Sequence, residues 1–223
     1  MARMHGVAGE WARVKGVVMG LWPLFLGVFA AGGATASLWI DWRWGLVALA
    51  LTLAAVGYCL LKGLRRVESF FIGARGEERV SGILQELPDT YHVFNDFVAG
   101  GVHVDHVVVG PSGVFAVETK CWKGVVTVED GHILVDEQLP SRSPLDQVLR
   151  EAALVKSTLA KLGWKIAVTP VLAFASDTFT AHVAEVHDAV VINACDLKQS
   201  FATARVTIES DELNRLVSLM ESN

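Results

Sequence analysis

The 223 residues contain three cysteines, at 59, 121 and 195. They form no CxxC pair and no Cys/His zinc spacing, so a zinc ribbon or finger is excluded. An odd, dispersed set also argues against a disulfide framework and fits a reducing compartment. Charge is missing over two stretches: no Asp, Glu, Lys or Arg falls between Lys15 and Asp41, or between Arg43 and Lys62. The first gap is long enough for a bilayer-spanning helix of about 20 residues, and the second is about the minimum length. Basic residues are scarce downstream. Residues 68–223 hold 12 Lys+Arg against 22 Asp+Glu, whereas 1–67 hold 7 against 2, which together make the net charge of −5. Tight nonspecific binding to nucleic acid rests on Lys and Arg neutralising phosphates, and the acidic second part argues against it. A metal-centred site holding one phosphodiester needs no broad basic face and stays open. There is no internal repeat, low-complexity tract, P-loop, GxSxG elbow or Rossmann fingerprint.

What is present is concentrated first at the front of the chain, where a mean hydropathy of +0.41 and 52% hydrophobic residues have their source. Residues 16–40 read as one membrane span and 44–61 as a second. Gly16-x-x-x-Gly20 and Gly27-x-x-x-Ala31 allow close helix contact and would permit a homo-oligomer through the hairpin, although glycine is common in membrane helices generally. Trp39, Trp42 and Trp44 crowd the short link around Asp41 and Arg43 as an aromatic belt. Arg3, Arg13 and Lys15 precede the first span; Lys62, Arg65 and Arg66 follow the second. The positive-inside rule therefore places both termini and everything after residue 62 in the cytoplasm. Ala34-Thr35-Ala36 also resembles a signal-peptidase site, but the apolar region before it is too long for a typical signal. The organisation expected is a membrane anchor over 1–67 and a cytoplasmic domain over 68–223, with 63–72 linking the two.

Within the second part, 74–87 reads as a helix with Val80, Ile83, Leu84 and Leu87 on one stripe, stopped by Pro88-Asp89. A strand over 91–97 and a short hairpin, 125–128 with 132–135 turning at Asp130-Gly131, follow from their patterns. Ser143-Pro144 opens a helix to about residue 162, with Leu145, Val148, Ala152, Val155, Leu159 and Leu162 inward. Strands over 166–175 and 186–193 and helices over 197–204 and 211–220, the last capped by Ser210, complete the pattern.

The chain is organised around residues 102–124, VHVDHVVVGPSGVFAVETKCWKG. Two β-branched runs flank Gly110-Pro111-Ser112-Gly113, whose proline and glycine carry turn chemistry. If those four residues turn, Val109 faces Val114 and Asp105 falls opposite Glu118. Lys120 then shares the face of Glu118, with Val107, Val109, Val114 and Ala116; Val104, His106, Val108, Phe115, Val117 and Thr119 take the other face. Both faces are mostly apolar, as in a sheet covered on both sides. Two carboxylates facing each other across a ladder repel, and burial raises the cost. A divalent cation between them removes it, and oxygen-only ligands suit Mg²⁺ or Mn²⁺. Lys120 beside such an ion could polarise a phosphoryl oxygen or orient a water; the plainer alternative is a structural ion pair with Glu118 or Asp105. Glu77 falls on the inward stripe of its helix, either as a first-turn charge favoured by the dipole or as a member of a metal site. Gln147 sits at the edge of its helix stripe. His103 shares the Asp105 face and could act as a base, while Lys123, His182 and His187 read as surface residues.

VDHVVVGPSGVFAVETKCWKG, together with GARGEERV upstream, Pro144-Leu145-Asp146-Gln147 and VTPVLAF, resembles the nuclease-related (NERD) domain, a branch of the PD-(D/E)XK nuclease superfamily. The resemblance covers about residues 70–175. It implies Asp105, Glu118 and Lys120 as a catalytic trio, Glu77 as a helix-borne acidic partner and Gln147 as a helper; Cys121 stands where the pattern would have a polar residue such as Asn. The fold expected is α/β, a restriction-endonuclease-like mixed sheet flanked by helices and preceded by two transmembrane helices. The function expected is Mg²⁺- or Mn²⁺-dependent hydrolysis of nucleic-acid phosphodiesters, with DNA as the first substrate to consider and the lipid bilayer as anchor. The alternative is a catalytically silent, membrane-tethered binding or sensing module on the same fold.

Overall fold

The computed structural model describes residues 1–37, 39, 41–177, 179, 181–203 and 207–221, with the side chains of Leu24, Ser37, Arg65 and Arg66 outside the description. Ile40 at the end of the first expected span, Ala204 at the end of an expected helix, and the side chains of Arg65 and Arg66 therefore lie outside the described residues. The chain forms two compact units: Trp11–Ile72, and Met1–Glu10 together with Gly73–Asn223.

The first unit is a helical pair. Helix α1 covers Glu10–Ser37 and helix α2 covers Trp42–Gln85. Both are long and apolar enough to cross a membrane, with mean hydropathies of 1.8 and 2.1 over their most apolar windows. The small residues of α1 are used inside this pair. A Cβ added at Gly16 would meet Phe70, at Gly20 Val67, and at Gly27 Val56, each at under 3 Å. Glycine is thus what lets the two backbones approach. The segment 63–72, expected as a linker, is helical and part of α2, as is the expected separate helix starting at 74. No proline interrupts this stretch, and its Glu, Arg and Leu content favours continuation.

The second unit is built on a seven-stranded mixed sheet. In chain order its strands are β1 (Arg3–His5), β2 (His92–Ala99), β3 (Val102–Gly110), β4 (Gly113–Lys120), β7 (Val168–Phe174), β8 (Val183–Val186) and β9 (Ala189–Asn193). Strands β5 (Val126–Glu129) and β6 (His132–Val135) form a separate hairpin. The spatial order is β1–β2–β3–β4–β7–β9–β8. Strands β2, β3 and β4 are antiparallel neighbours, β4, β7 and β9 run parallel, and β1 pairs parallel with β2. Helix α3 (Pro144–Lys161) and helix α5 (Ser210–Glu221) cover one face. The last turns of α2 and helix α4 (Leu197–Thr203) cover the other. Val80, Leu84, Val108, Val117 and Leu197 are fully buried on that second side, and Val107, Ala116, Val155, Leu159 and Leu216 on the first. The mixed α/β class with a doubly covered central sheet is therefore as the sequence pattern predicts.

Two strands depart from expectation. Residues 186–193, read as one strand, are the end of β8 and all of β9, joined by a tight turn in which His187 and Asp188 both have positive φ (47° and 65°). Strand β1 lies in a stretch expected to belong to the anchor, and the helical unit is bounded twice, after Glu10 and after Ile72, where the sequence suggests a single boundary near residue 67.

Candidate active site

The turn at Gly110–Gly113 sets the register expected from its residues: Gly110 pairs with Gly113, Val109 with Val114 and His106 with Val117. Pairing stops there. At the next position, where Asp105 would face Glu118, the Asp105 Oδ2 accepts the Thr119 backbone N–H at 2.8 Å. The pleat changes at the same point. Phe94 and Phe97 on β2, and Val104 and Val107 on β3, all join the core beneath α3 and α5, although each pair is three residues apart. Strict alternation would send one of each pair to the opposite face. Asp96, at φ 50°, lies in this break. The face expected for Val104 is thus corrected: it packs with Val107 rather than with Val108. Like-charge repulsion across the ladder supplies a reason for the pairing to end before the two carboxylates.

Glu118 and Lys120, two residues apart on β4, meet Gln147 from the first turn of α3. Ser143 caps that helix, accepting the Asp146 N–H, and Pro144 occupies its first turn. The Lys120 Nζ donates to Glu118 Oε1 at 2.5 Å and to Gln147 Oε1 at 3.0 Å. The Gln147 Nε2 donates to the same Glu118 oxygen at 2.7 Å and to Glu151 Oε1 at 2.9 Å. Glu151, one turn further along α3, is only 2% exposed, and its Oε2 is buried without a hydrogen-bond partner among the described residues. Sequence reasoning passed it over, yet a signal existed: Glu151 lies three residues after Val148 and four before Val155, on the inward stripe.

Glu77, 9% exposed, comes from the part of α2 that packs on the sheet. Gly76 makes this approach close, since a Cβ there would stand 2.8 Å from the Cys121 Cβ and 3.4 Å from that of Ala175. Cys121 is half-buried under the helix. The Gly9 backbone favours the charged form of the Glu77 carboxyl.

Four acidic groups and one lysine therefore share a largely buried neighbourhood. Burial, then Glu118 and Glu77, push Asp105 well above the usual carboxylate range, and the Thr119 N–H works against that shift. Burial, then Asp96 and Glu118, raise Glu77 from 4.5 to about 7. Burial and Glu118 raise Glu151 from 4.5 to about 8. Lys120 goes up: burial opposes its charge, but Glu118, Asp105 and Glu151 outweigh it. Such mutual repulsion is what a divalent cation relieves. The donors on offer are hard carboxylate oxygens, which suit Mg²⁺ or Mn²⁺. Among the described residues no three His, Cys, Asp or Glu side chains converge into a ready-made cage.

His103 stands opposite Val98, beyond Asp105 on β3. Lys123 is exposed. His182 is exposed and paired with Asp196 at 2.9 Å, and His187 is in the β8–β9 turn.

Residues 72–175 match the family model of the nuclease-related domain, NERD. Comparison with curated proteins and with solved structures yields no match for this chain. The matched stretch holds Glu77, Asp105, Glu118, Lys120, Gln147 and Glu151, and it supports a nuclease-related function in general terms.

Proposed function

We propose that this protein is a membrane-anchored, divalent-metal-dependent nuclease whose helical pair spans the bilayer and whose sheet unit works on the cytoplasmic side. The observation that carries the reading is the cluster at the end of the β3–β4 hairpin: Glu118, Lys120 and Gln147 joined by hydrogen bonds beside the strongly perturbed Asp105. Perturbed titratable groups gathered at one strand end mark a candidate reactive site. Asp105 and Glu118 would hold Mg²⁺ or Mn²⁺, with Glu77 as the third acidic neighbour. When bound, the ion would supply Lewis-acid polarisation of a phosphoryl oxygen and a more acidic water. Lys120, fixed by Glu118 and Gln147, would donate to a phosphoryl oxygen or orient the attacking water. Gln147 would keep the Lys120 ammonium and the Glu118 oxygen in register. The acidic surface suits a site that holds one phosphodiester at a time rather than a long duplex.

One observation favours the silent binding module: Lys120 and Gln147 both already donate to the Glu118 Oε1 that a metal ion would need. The full-length protein in detergent, offered single- and double-stranded DNA and RNA with Mg²⁺ or Mn²⁺, separates the two. Metal-dependent cleavage that disappears in Asp105→Ala and in Lys120→Ala supports the nuclease. No cleavage, together with no metal binding by calorimetry, leaves the binding module.

A further inference from the structure

The helix segment that bears Glu77 is held at both ends by residues that precede the first apolar helix. At its C-terminal end, the Ala2 N–H donates to the Gln85 carbonyl at 3.0 Å, and the Arg3 N–H to that of Tyr91 at 2.9 Å. At the other end Gly9 lies against Ala74: a Cβ on Gly9 would stand 3.0 Å from the Ala74 Cβ and carbonyl oxygen. The Gly9 backbone also favours the charged form of the Glu77 carboxyl, against the upward push of burial. Between these points β1 runs parallel to β2, and Gly6 packs on the Asn95 carbonyl with its own carbonyl accepting from Asn95 Nδ2 at 3.3 Å. Asn95 Oδ1 in turn accepts from Ser81 of α2 at 3.2 Å and lies 2.8 Å from Nδ1 of the buried His106. Ala2 and Ala8 are buried, and the His5 ring stacks on Phe94 at 4.3 Å. Positive φ at Gly6 and Gly9 (75° and 73°) lets the chain make these bends without strain.

We propose that residues 1–10 are a strap that positions Glu77 at the reactive site, so that the site is complete only when the segment ahead of the first apolar helix is docked. Gly9 is a positioning residue; it acts through Glu77. The inference rests on the nuclease reading for its catalytic consequence, but the strap itself has a separate readout. Cys121 lies directly beneath Gly76, and loosening the strap should lift the helix off it.

The experiment compares three forms of the full-length protein in detergent: wild type, a deletion of residues 2–9, and Gly9→Ala, which places a side chain at positive φ against Ala74. Gly32→Ala, where nothing lies within 4 Å, is the control. Cys59→Ser and Cys195→Ser remove the two exposed thiols. The strap predicts a kcat loss of about 10–100-fold in both strap variants, with KM for the nucleic acid changed by less than about threefold. It further predicts faster maleimide labelling of Cys121, and rescue of the deletion by a peptide of residues 1–10 added in trans. Strap variants that match wild type in kcat, Mn²⁺ affinity and Cys121 labelling overturn it. If wild type cleaves nothing, the nuclease reading falls, and the labelling rate with peptide rescue still decides the strap.

Discussion

Lys120 is where the two functional readings part. Its ammonium bonds Glu118 and Gln147, so removing it takes a partner from a carboxylate that is 4% exposed. If the site is catalytic, Lys120→Met should lower cleavage by about 10²–10³-fold while leaving Mg²⁺ binding measurable by calorimetry. Unchanged turnover would make Lys120 a structural ion pair. Glu151 carries the pH dependence. Glu77 and Glu151 hold their protons more tightly folded than unfolded, so their contribution to stability is fully present below about pH 4.5 and is lost as pH rises through about 7 and about 8. Metal-free melting temperature should therefore fall over that window, and Glu151→Gln should flatten the fall. The gain from added Mg²⁺ should be larger at about pH 8 than at about pH 6, since ligands must be deprotonated to bind. A melting temperature that rises from pH 5 to 8 without metal would refute this assignment. Asp105, Glu118, Lys120 and Gln147 were legible because a turn fixed the register and a family pattern named them. Glu151 was not, because a glutamate on an amphipathic helix ordinarily marks the solvent side, and only its phase against Val148 and Val155 says otherwise.

Among the elements, α2 positions the site through glycine chemistry that has opposite signs six residues apart. Gly76→Ala would set a methyl 2.8 Å from the Cys121 Cβ and 3.4 Å from the Ala175 Cβ, both fixed by their backbones. Overpacking of this kind costs about 1–3 kcal/mol, against a helix-propensity gain of about 1 kcal/mol. The net expectation is destabilisation with weakened Mg²⁺ binding, as Glu77 moves with the helix. Gly82→Ala has nothing within 4 Å and should stabilise by about 1 kcal/mol. Thermal melts of the pair check both signs at once. The elements visible in the sequence include α3, the β3–β4 hairpin and β5–β6, which carry a strong period or a strong turn, and also β2, β7, α4 and α5. The β8–β9 turn escaped because His187 and Asp188 are not the Asn-Gly type that announces positive φ. Strand β1 escaped because three residues carry no alternation, and its partner β2 lies more than eighty positions away.

For the whole molecule, the arrangement of the chain has a consequence for how the sheet unit can be isolated. Residues 1–10 and 73–223 make one compact unit, and Gly9 lies against Ala74 within it. Residues 11–72 therefore leave and return at neighbouring points, as an insertion does at a tolerant site. Joining Glu10 to Gly73 through about four Gly/Ser residues, which span up to roughly 13 Å, should give a domain that stays monodisperse without detergent. Its 13 Lys+Arg against 22 Asp+Glu favour solubility. A fragment of residues 68–223 lacks β1, so the edge of β2 is left open and Glu77 loses its Gly9 contact. An open edge is a template for aggregation, and this fragment should self-associate where the joined form does not. The full chain should float with liposomes and the joined form should stay at the bottom of the gradient. If the fragment and the joined form behave alike in sedimentation and in Mg²⁺ affinity, β1 is dispensable and the insertion view of the helical pair is wrong.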